Sequence, residues 1–377
     1  MSHGDKTGEA TDAKAFLKPS IYWLFVFIPI TVVLEHAGKL PAPVIFFSAA
    51  LAIVPIAALI VQATEQVATY TGDAIGGLLN ATFGNAPELI IALVALRSGY
   101  LDMVRASIVG GVLANLLLAL GAAFLLGGLR FHDQKFNPTG ARAYSTMMLL
   151  AAVSLVVPSA FSRYFSGEDT IRQVKMLNIG IAVLLLLAYG LYLLFSLKTH
   201  PKAFASVEQG GSEQHHEGIR WSISRGIGTL LGAAALAAWM SEVLVGAAEG
   251  TGKALGMSDV FIGIVFLAIV GGAAESGSAI AVACRNKTDL SVGIALGSSI
   301  QIALFVAPVL VLASYFIAPA PLDLSFGRAE VGSLFIAVLL GTVVCGDGQA
   351  NWYKGVQLLT LYAIFALMFY FMPEIKH

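Results

Sequence analysis

The chain has 377 residues, of which 57% are hydrophobic and only 12% are charged, and its formal net charge is −1. This apolar share exceeds that of soluble domains and predicts an all-α integral membrane protein whose surroundings are the lipid bilayer. The balance of basic and acidic residues argues against a nucleic-acid partner, and two cysteines are too few for a disulfide framework.

The first segment, Met1 to Pro19, is polar and lacks the features of a signal peptide, so we interpret it as a disordered cytosolic tail. Eleven apolar runs follow that are long enough to cross a membrane, some only with tilt. In the first part they lie near Ile21 to Val33, Val44 to Tyr70, Ala74 to Leu96, Val104 to Leu126, Ala143 to Phe161 and Val174 to Leu197. In the second part they lie near Ile227 to Ala248, Val260 to Ala283, Ser291 to Tyr315, Val331 to Cys345 and Val356 to Met372.

The third span carries an unusual polar sequence, GNAPE, from Gly84 to Glu88. On a helix, residues three and four positions before a glutamate share its face, which predicts Asn85 and Gly84 beside this carboxylate. Pro87 cannot donate to the carbonyl of Phe83, and a carbonyl freed at membrane depth can bind a cation. The backbone of this stretch is therefore a predicted source of ligands together with the glutamate.

The eighth span repeats the pattern as GGAAE, from Gly271 to Glu275, at an interval of 187 residues. Each glutamate is followed 14 residues later by an aspartate and 22 residues later by a glycine, without a gap. Gly271 permits close approach of the backbone to a ligand. Burying an ionised carboxylate at bilayer depth costs several kcal/mol, so two copies favour an ion site over hydrogen-bonded structural acids.

Five further polar residues are candidates with weaker signals. Glu65 and Glu242 end or interrupt the spans before the two glutamates, and they either recruit cations or are simply helix-end acids that reach water. Asn115 in the fourth span, and Ser298 with Gln301 in the ninth, lie next to glycine-containing segments that allow tight helix packing. Their oxygens would complete a coordination shell or form hydrogen bonds between helices.

The predicted ligands are hard oxygen atoms with no thiolate or imidazole beside them, a set that suits Ca²⁺ rather than Zn²⁺ or Cu⁺. Two facing carboxylates in a low dielectric take up either protons or a divalent cation. One Ca²⁺ or two H⁺ would neutralise the same pair. This balance predicts an exchanger that works by alternating access, with Ca²⁺ and H⁺ as transported substrates and no cofactor.

The repeat also predicts the organisation of the chain. Residues 1–43 form the tail and an extra helix, 44–197 a first five-helix repeat, 198–224 a polar linker and 225–377 a second repeat. Five is odd, so the repeats would enter the membrane in opposite directions, as in many secondary transporters. The linker has a histidine pair, His215 and His216, that could bind a metal, although its composition favours a solvated connection.

Lys and Arg are more frequent on the side of the N-terminus, which favours a cytosolic N-terminus. We expect a multi-pass protein of the cell (inner) membrane and leave open whether it forms a homo-oligomer.

Four motifs together resemble those of the calcium/proton exchanger (CAX-type) family of the calcium/cation antiporter superfamily. They are GNAPEL at 84–89, NLLLALG at 115–121, GSSIQIALFV at 297–306 and DGQANW at 347–352. The resemblance covers about Glu65 to Trp352 and implies eleven spans, a ten-helix inverted-repeat core, and Ca²⁺ export driven by inward H⁺ movement. The chain departs from the family's second motif, which has Asn and His where this sequence has Gly272 and Ser276.

Other functions remain open at this point. Exchange against Na⁺ is the nearest alternative, although Ala92 and Ala279, one turn beyond each glutamate, leave fewer oxygen ligands for Na⁺. An intramembrane hydrolase using Ser278 or Ser298 would lack a base, because every histidine falls in a tail, a loop or a span end. A passive channel is disfavoured, because paired acids within inverted repeats suit alternating access.

Overall fold

The computed structural model describes residues 20–37, 40–164, 168–201 and 221–372, and this part of the chain is helical apart from one short two-stranded ribbon. The predicted tail, Met1 to Pro19, lies outside the described residues. So does most of the predicted linker, including its histidine pair. The fold is thus the all-α membrane protein that the composition predicts.

The first half of the described chain forms a 3-10 turn (Ile21–Val26) and helices α1 (Phe27–His36), α2 (Ala42–Ala68), α3 (Gly72–Phe83), α4 (Ala86–Arg97), α5 (Leu101–Phe131), α6 (Pro138–Tyr164) and α7 (Glu168–Leu194), which continues as a π-helical turn (Phe195–Thr199). The second half forms α8 (Ile223–Leu255), α9 (Asp259–Gly271), α10 (Ala273–Ala283), α11 (Thr288–Ile317), α12 (Arg328–Cys345) and α13 (Trp352–Tyr370). The ribbon pairs β1 (Asp133–Lys135) antiparallel with β2 (Gln349–Asn351).

Among the described residues, 8 helices are long and apolar enough to cross a membrane, and α9 with α10 makes a further candidate bent by 58°. The first predicted span is a shorter apolar segment, Ile21–His36. The third is divided into α3 and α4, of 12 residues each. Multiple membrane crossings are therefore clear, while the number eleven stays a prediction.

Helix ends recur at the 187-residue interval of the sequence repeat. The paired positions are the ends of α2 and α8 (Ala68, Leu255) and the starts of α3 and α9 (Gly72, Asp259), α4 and α10 (Ala86, Ala273) and α5 and α11 (Leu101, Thr288). The π-helical turns inside α5 and α11 both end at matching positions, Ala119 and Val306. Even the left-handed residue before α5 and α11 recurs, as Gly99 (φ 86°) and Asn286 (φ 61°).

Packing between the two halves is reciprocal. α2 packs along α8, and α6 along α12. α4 packs on α8, and its equivalent α10 packs on α2, the equivalent of α8. Likewise, α4 packs on α11, and α10 packs on α5, the equivalent of α11. In the same way α7 packs on α11 while α13 packs on α5. A two-fold relation between equivalent halves produces such an exchange of partners.

One pair of contacts breaks this reciprocity. α9 packs closely along α5, and a Cβ placed on Gly110 of α5 would overlap the backbone of Ile264 of α9. α3, the counterpart of α9, makes no comparable contact with α11. A Cβ on Gly297 of α11, the counterpart of Gly110, would meet nothing within 4 Å. We call the α5–α9 contact the closed side and the separated α3 and α11 the open side.

Candidate cation site

The candidate site lies where two broken helices change direction. Asn85, between α3 and α4, has φ −91° and ψ 21°, and Gly272, between α9 and α10, has φ −78° and ψ 6°. Both lie near the sparsely populated bridge region of backbone conformation. Pro87 falls in the first turn of α4, where a missing N–H is tolerated. The second break instead relies on the consecutive glycines Gly271 and Gly272, which favour helix less than other residues.

Glu88 and Glu275 occupy the first turns of α4 and α10. The N-terminus of a helix carries partial positive charge, which favours a carboxylate there. Each new helix begins at once beyond its break, since the N–H of Leu89 donates to the carbonyl of Asn85 at 3.0 Å, and that of Ser276 to Gly272 at 2.9 Å. The breaks therefore place both acids at equivalent positions inside the protein.

The two breaks cross, so each glutamate lies against the opposite half. A Cβ on Gly271 would be 2.8 Å from Cγ of Glu88, and a Cβ on Gly84 would be 3.2 Å from Oε1 of Glu275. Glycine is required at Gly271 for this approach. Gly84, which the sequence predicts beside Glu88, thus faces Glu275 of the other half across the break.

Three side-chain amides and a hydroxyl lie around the pair. The Nδ2 atom of Asn85 donates a hydrogen bond to Oε1 of Gln301, which links the first break to α11. Ser298, one turn earlier on α11, hydrogen-bonds Glu275. On the other side, a Cβ on Gly272 would lie 3.5 Å from Oε1 of Glu88 and 3.8 Å from Oδ1 of Asn115.

Several oxygens of this group are buried without a hydrogen-bond partner in the described part of the chain: Oε1 and Oε2 of Glu88, Oε2 of Glu275 and Oδ1 of Asn85. Buried polar atoms are nearly always paired, and leaving them unpaired is costly. Carboxylate and amide oxygens are the ligands that Ca²⁺ takes in proteins. The arrangement is chemically suited to a hard cation or to protons.

The described residues contain no cluster of three or more His, Cys, Asp or Glu side chains that could hold a metal. The polar side chains around the pair instead offer amide and hydroxyl groups, from Asn85, Gln301 and Ser298.

The structure brings together most of the predicted site residues, and separates others from them. The residues brought together are Glu88, Glu275, Asn85, Gly84, Gly271, Ser298 and Gln301. Phe83 is the last residue of α3, and its carbonyl stays a predicted ligand. Glu65 is exposed in the last turn of α2, within electrostatic reach of Tyr22. Glu242 is 61% exposed and 4.0 Å from Arg97, so neither acid is among the contacts of the glutamate pair.

A cavity of about 20 Å³ adjoins Glu88 towards the closed side. It is lined mainly by apolar residues of α4, α5, α9 and α11, with Ser107 as a second polar residue. This volume holds roughly one water molecule. This cavity is therefore too small for a hydrated cation.

Sequence reasoning missed one neighbour of Glu275. Tyr189 of α7 is 4% exposed, its ring centroid is 5.6 Å from that of Phe305, and it lies within electrostatic reach of Glu275. The sequence feature that could have identified it is a tyrosine within an apolar span, because a buried tyrosine hydroxyl usually has a polar partner.

A family model described as "Sodium/calcium exchanger protein" matches residues 41–198 and 225–371. The Ca(2+)/H(+) antiporter of Aphanothece halophytica is 39% identical over 366 residues, covering 94% of this chain and 97% of that protein. The Ca(2+)/H(+) antiporter ChaA of Bacillus subtilis is 39% identical over 350 residues, covering 92% and 98%. The solved structure of native YfkE is similar with a TM-score of 0.79 and 37% identity, covering 94% of this chain and 100% of that one.

Proposed function

Because this chain belongs to the sodium/calcium exchanger protein family, whose members are transporters rather than enzymes, we propose that it exchanges Ca²⁺ for H⁺ across a membrane. The observation that carries the proposal is the pair Glu88 and Glu275, each pressed against the helix break of the other half, with buried oxygens that have no partner in the described residues. The similarity to relatives named Ca(2+)/H(+) antiporter over nearly their whole length supports the same substrates.

In this proposal the two carboxylates bind either one Ca²⁺ or two protons. Ca²⁺ takes six to eight oxygen ligands, so Asn85, Ser298, Gln301 and backbone carbonyls near the breaks would supplement the carboxylates. Protons neutralise the same charges without needing those ligands. An empty pair of buried, ionised carboxylates is unfavourable, so the protein changes access only when the pair is neutralised.

We further propose that access alternates between the two sides of a core made of five-plus-five inverted repeats, with α1 as an extra helix and eleven spans in all. The close α5–α9 contact and the separated α3 and α11 support one arrangement that is open on a single side. With a cytosolic N-terminus, this open side faces the cytosol. We expect the protein in the cell (inner) membrane without a resident cofactor, and leave a homo-oligomer open.

Exchange against Na⁺ is the second candidate, because the family description names sodium. Ala92 and Ala279, one turn beyond each glutamate, are buried and supply no oxygen ligand. This absence of side-chain oxygens at the two positions favours H⁺ over Na⁺ as the counter-ion.

The test is transport by the purified full-length protein in proteoliposomes. An imposed pH gradient should drive Ca²⁺ uptake with opposite H⁺ movement, while a Na⁺ gradient at equal pH should not. Mn²⁺, Na⁺ and K⁺ tested in turn define the cation range. Ca²⁺ flux that follows the Na⁺ gradient and ignores the pH gradient would overturn the proposal in favour of the second candidate.

A further inference from the structure

A groove of about 460 Å³ lies between the first turns of α6 and the last turns of α7. Its lining is apolar apart from Thr146 and Tyr192. Each helix contributes an alanine, Ala143 and Ala188, and these small side chains leave the space between the helices. Both helices are candidate membrane spans, and Leu191 at the groove is 66% exposed. The groove therefore opens towards the hydrocarbon of the bilayer.

The two polar side chains of the lining have hydrogen-bond partners within the protein. The Thr146 hydroxyl donates to the carbonyl of Arg142 at 2.9 Å, and the Tyr192 hydroxyl is hydrogen-bonded to Tyr144. A polar ligand would have to compete with these internal hydrogen bonds. A hydrocarbon chain needs no such bonds, and close van der Waals packing is what holds apolar groups together in a bilayer. The lining is therefore suited to an acyl chain.

Basic side chains lie where the groove approaches the membrane surface. Arg142 is one turn before Thr146 on the same face of α6. Lys198 lies in the turn that begins at Phe195, and the ring of His200 is stacked on that of Phe195 with 4.4 Å between centroids. Arg142 and Lys198 are exposed, and neither forms an ion pair within the described part of the chain. This end of the groove thus offers positive charge to a ligand.

We propose that the groove binds an acyl chain of an anionic phospholipid, whose headgroup phosphate is held by Arg142 and Lys198. Basic pockets between membrane helices on the cytoplasmic side bind anionic headgroups, and the leaflet there attracts Lys and Arg through its negative surface potential. The basic end of the groove lies on the open side, which faces the cytosol when the N-terminus is cytosolic. The site does not depend on the proposed exchange function.

The groove is a feature of the first half of the chain. In the second half, α13 ends at Tyr370, which is equivalent to Val183 at the 187-residue interval and so precedes the turns of α7 that line the groove. The equivalent of Ala143 is Glu330, a buried acid in the first turn of α12. The proposed site therefore binds lipid from a single leaflet.

Native mass spectrometry of the purified full-length protein tests the site. Micelles with equal amounts of dioleoyl phosphatidylglycerol and dioleoyl phosphatidylcholine supply two lipids that differ in headgroup charge. The wild-type protein should retain phosphatidylglycerol about 10-fold better, since each basic residue contributes about 1 kcal/mol. Arg142→Gln with Lys198→Gln should reduce this preference to within about 2-fold. Ala188→Phe should lower the retention of both lipids, because it fills the groove.

Leu194→Trp is the matched control, because Leu194 is an exposed leucine at the same depth of α7 that does not line the groove. It should retain both lipids as the wild type does. If Ala188→Phe does not give monodisperse protein, Leu191→Trp fills the groove from its exposed rim. Equal retention of the two lipids by the wild type would overturn the proposal. So would a charge preference that survives the loss of both basic residues, or retention that survives filling of the groove.

Photo-crosslinking identifies the occupant in vesicles of the same two lipids. The change Leu191→benzoylphenylalanine should give adducts enriched in phosphatidylglycerol at least about 3-fold over its share of the vesicle lipid, whereas Leu194→benzoylphenylalanine should report that share. A main product linked to a second copy of the chain, or to residues 202–220 of the same chain, would overturn the lipid as occupant. These readouts all measure binding, so a protein that fails to exchange Ca²⁺ for H⁺ would overturn only the proposed function.

Discussion

Gly110 and Gly297 occupy the same position in the two halves but have opposite surroundings. Gly110 is pressed against the backbone of Ile264, whereas Gly297 faces open space. The residue of α3 that corresponds to Ile264 is Gly77, which contacts Leu197 instead. Equivalent positions have therefore adopted two different packings, and α9 also contains a π-helical turn (Ile262–Leu267) where α3 is α-helical throughout.

The two aspartates that follow the glutamates make a second comparison. Asp289 contacts a loop of the opposite half directly, and Asp102 does so through Arg105. Asp289 accepts a hydrogen bond from the backbone N–H of Asn137 at 2.5 Å. Asp102 instead accepts from Arg105, which also donates to Asp323 in the loop before α12. The closed side thus has an ionic clamp where the open side has a backbone hydrogen bond.

We expect the largest effect from replacing either glutamate of the pair, which tests whether both halves are needed for exchange. Glu88→Gln and Glu275→Gln should each lower Ca²⁺/H⁺ exchange in proteoliposomes by more than about 100-fold, because an amide can neither take up a proton nor supply charge to a cation. Glu242→Gln, at an exposed acid of α8, should exchange normally. Wild-type transport by either site variant would remove the paired acids from the mechanism.

Filling the two glycine positions should distinguish the sides. Gly297→Leu meets open space in this arrangement, so the protein should fold normally, yet exchange should fall at least about 10-fold because α3 could no longer close on α11. Gly110→Leu should instead lower the free energy of unfolding by roughly 1–3 kcal/mol through overpacking against α9.

Gly180→Leu is the control for this pair, since a Cβ on Gly180 of α7 also meets nothing within 4 Å and no closure is expected there. Thermal denaturation and uptake should be measured on the same preparations. Rapid exchange by Gly297→Leu would mean that the open side does not need to close.

The ionic clamp can be removed without touching the glutamates. Arg105 has a side chain that is 17% exposed and pairs with two carboxylates. Arg105→Ala should lower the free energy of unfolding by roughly 1–3 kcal/mol, since two like charges are left without their partner. Asp289→Asn keeps an acceptor on the open side and should be nearly neutral. Equal melting temperatures for the two variants would contradict the difference between the clamps.

Making the second break like the first should have a smaller effect. A side chain on Gly272 would start 3.5 Å from Oε1 of Glu88, so Gly272→Asn with Ser276→His should raise Ca²⁺ affinity about 3- to 10-fold or move the pH optimum. Monodispersity must be checked, because the carbonyl of Ala268 would be only 3.2 Å from the new Cβ. A well-folded variant with unchanged calcium and pH dependence would show that the asymmetry of the breaks is unimportant.

The smallest effect concerns the open-side loop before α13. Partial burial raises the pKa of Asp347. The hydrogen bond from Lys354, at 2.6 Å, and the positive charge of Lys354 outweigh this effect, so the pKa of Asp347 lies below its ordinary value. A carboxyl group whose pKa is lower in the folded state stabilises the fold at pH values above its unfolded-state pKa. The protein loses this stabilisation as the pH falls through the folded-state pKa. Asp347→Asn should therefore cost less than about 1 kcal/mol near neutral pH and nothing in strong acid. A cost that grows on acidification would contradict this pairing.

Much of the fold was predictable because lipid imposes long apolar helices and the repeat needs no gaps. The all-α class and the positions of both glutamates follow from local sequence. The breaks at Asn85 and Gly272 were less clear, since Pro87 alone is compatible with a kinked helix. The number of spans cannot be read from α3 and α4, because two 12-residue helices are each too short to cross alone.

The missed parts of the site depend on contacts between distant segments. Gly84 faces Glu275 across the two halves, a pairing that no local pattern encodes. Tyr189 comes near Glu275 only because α7 packs on α11. The Glu242 side chain points to Arg97 instead of the site, and hydrophobicity alone does not reveal the direction of a side chain on a helix.

The ribbon of β1 and β2 makes part of the molecule mechanically stiff. It ties the end of α5 to the start of α13, and the side chain of Gln134, the middle residue of β1, donates to the carbonyl of Ala283 at the end of α10. Among the described side chains of α3, none forms a hydrogen bond to another helix, and α3 is joined at one end to the break at Gly84 and Asn85. Its 12 residues form a lever of about 18 Å, so a turn of about 20° at the break would carry its far end about 6 Å. A rotation of a few backbone angles beside Glu275 would thus be amplified into a displacement comparable to the width of a hydrated ion.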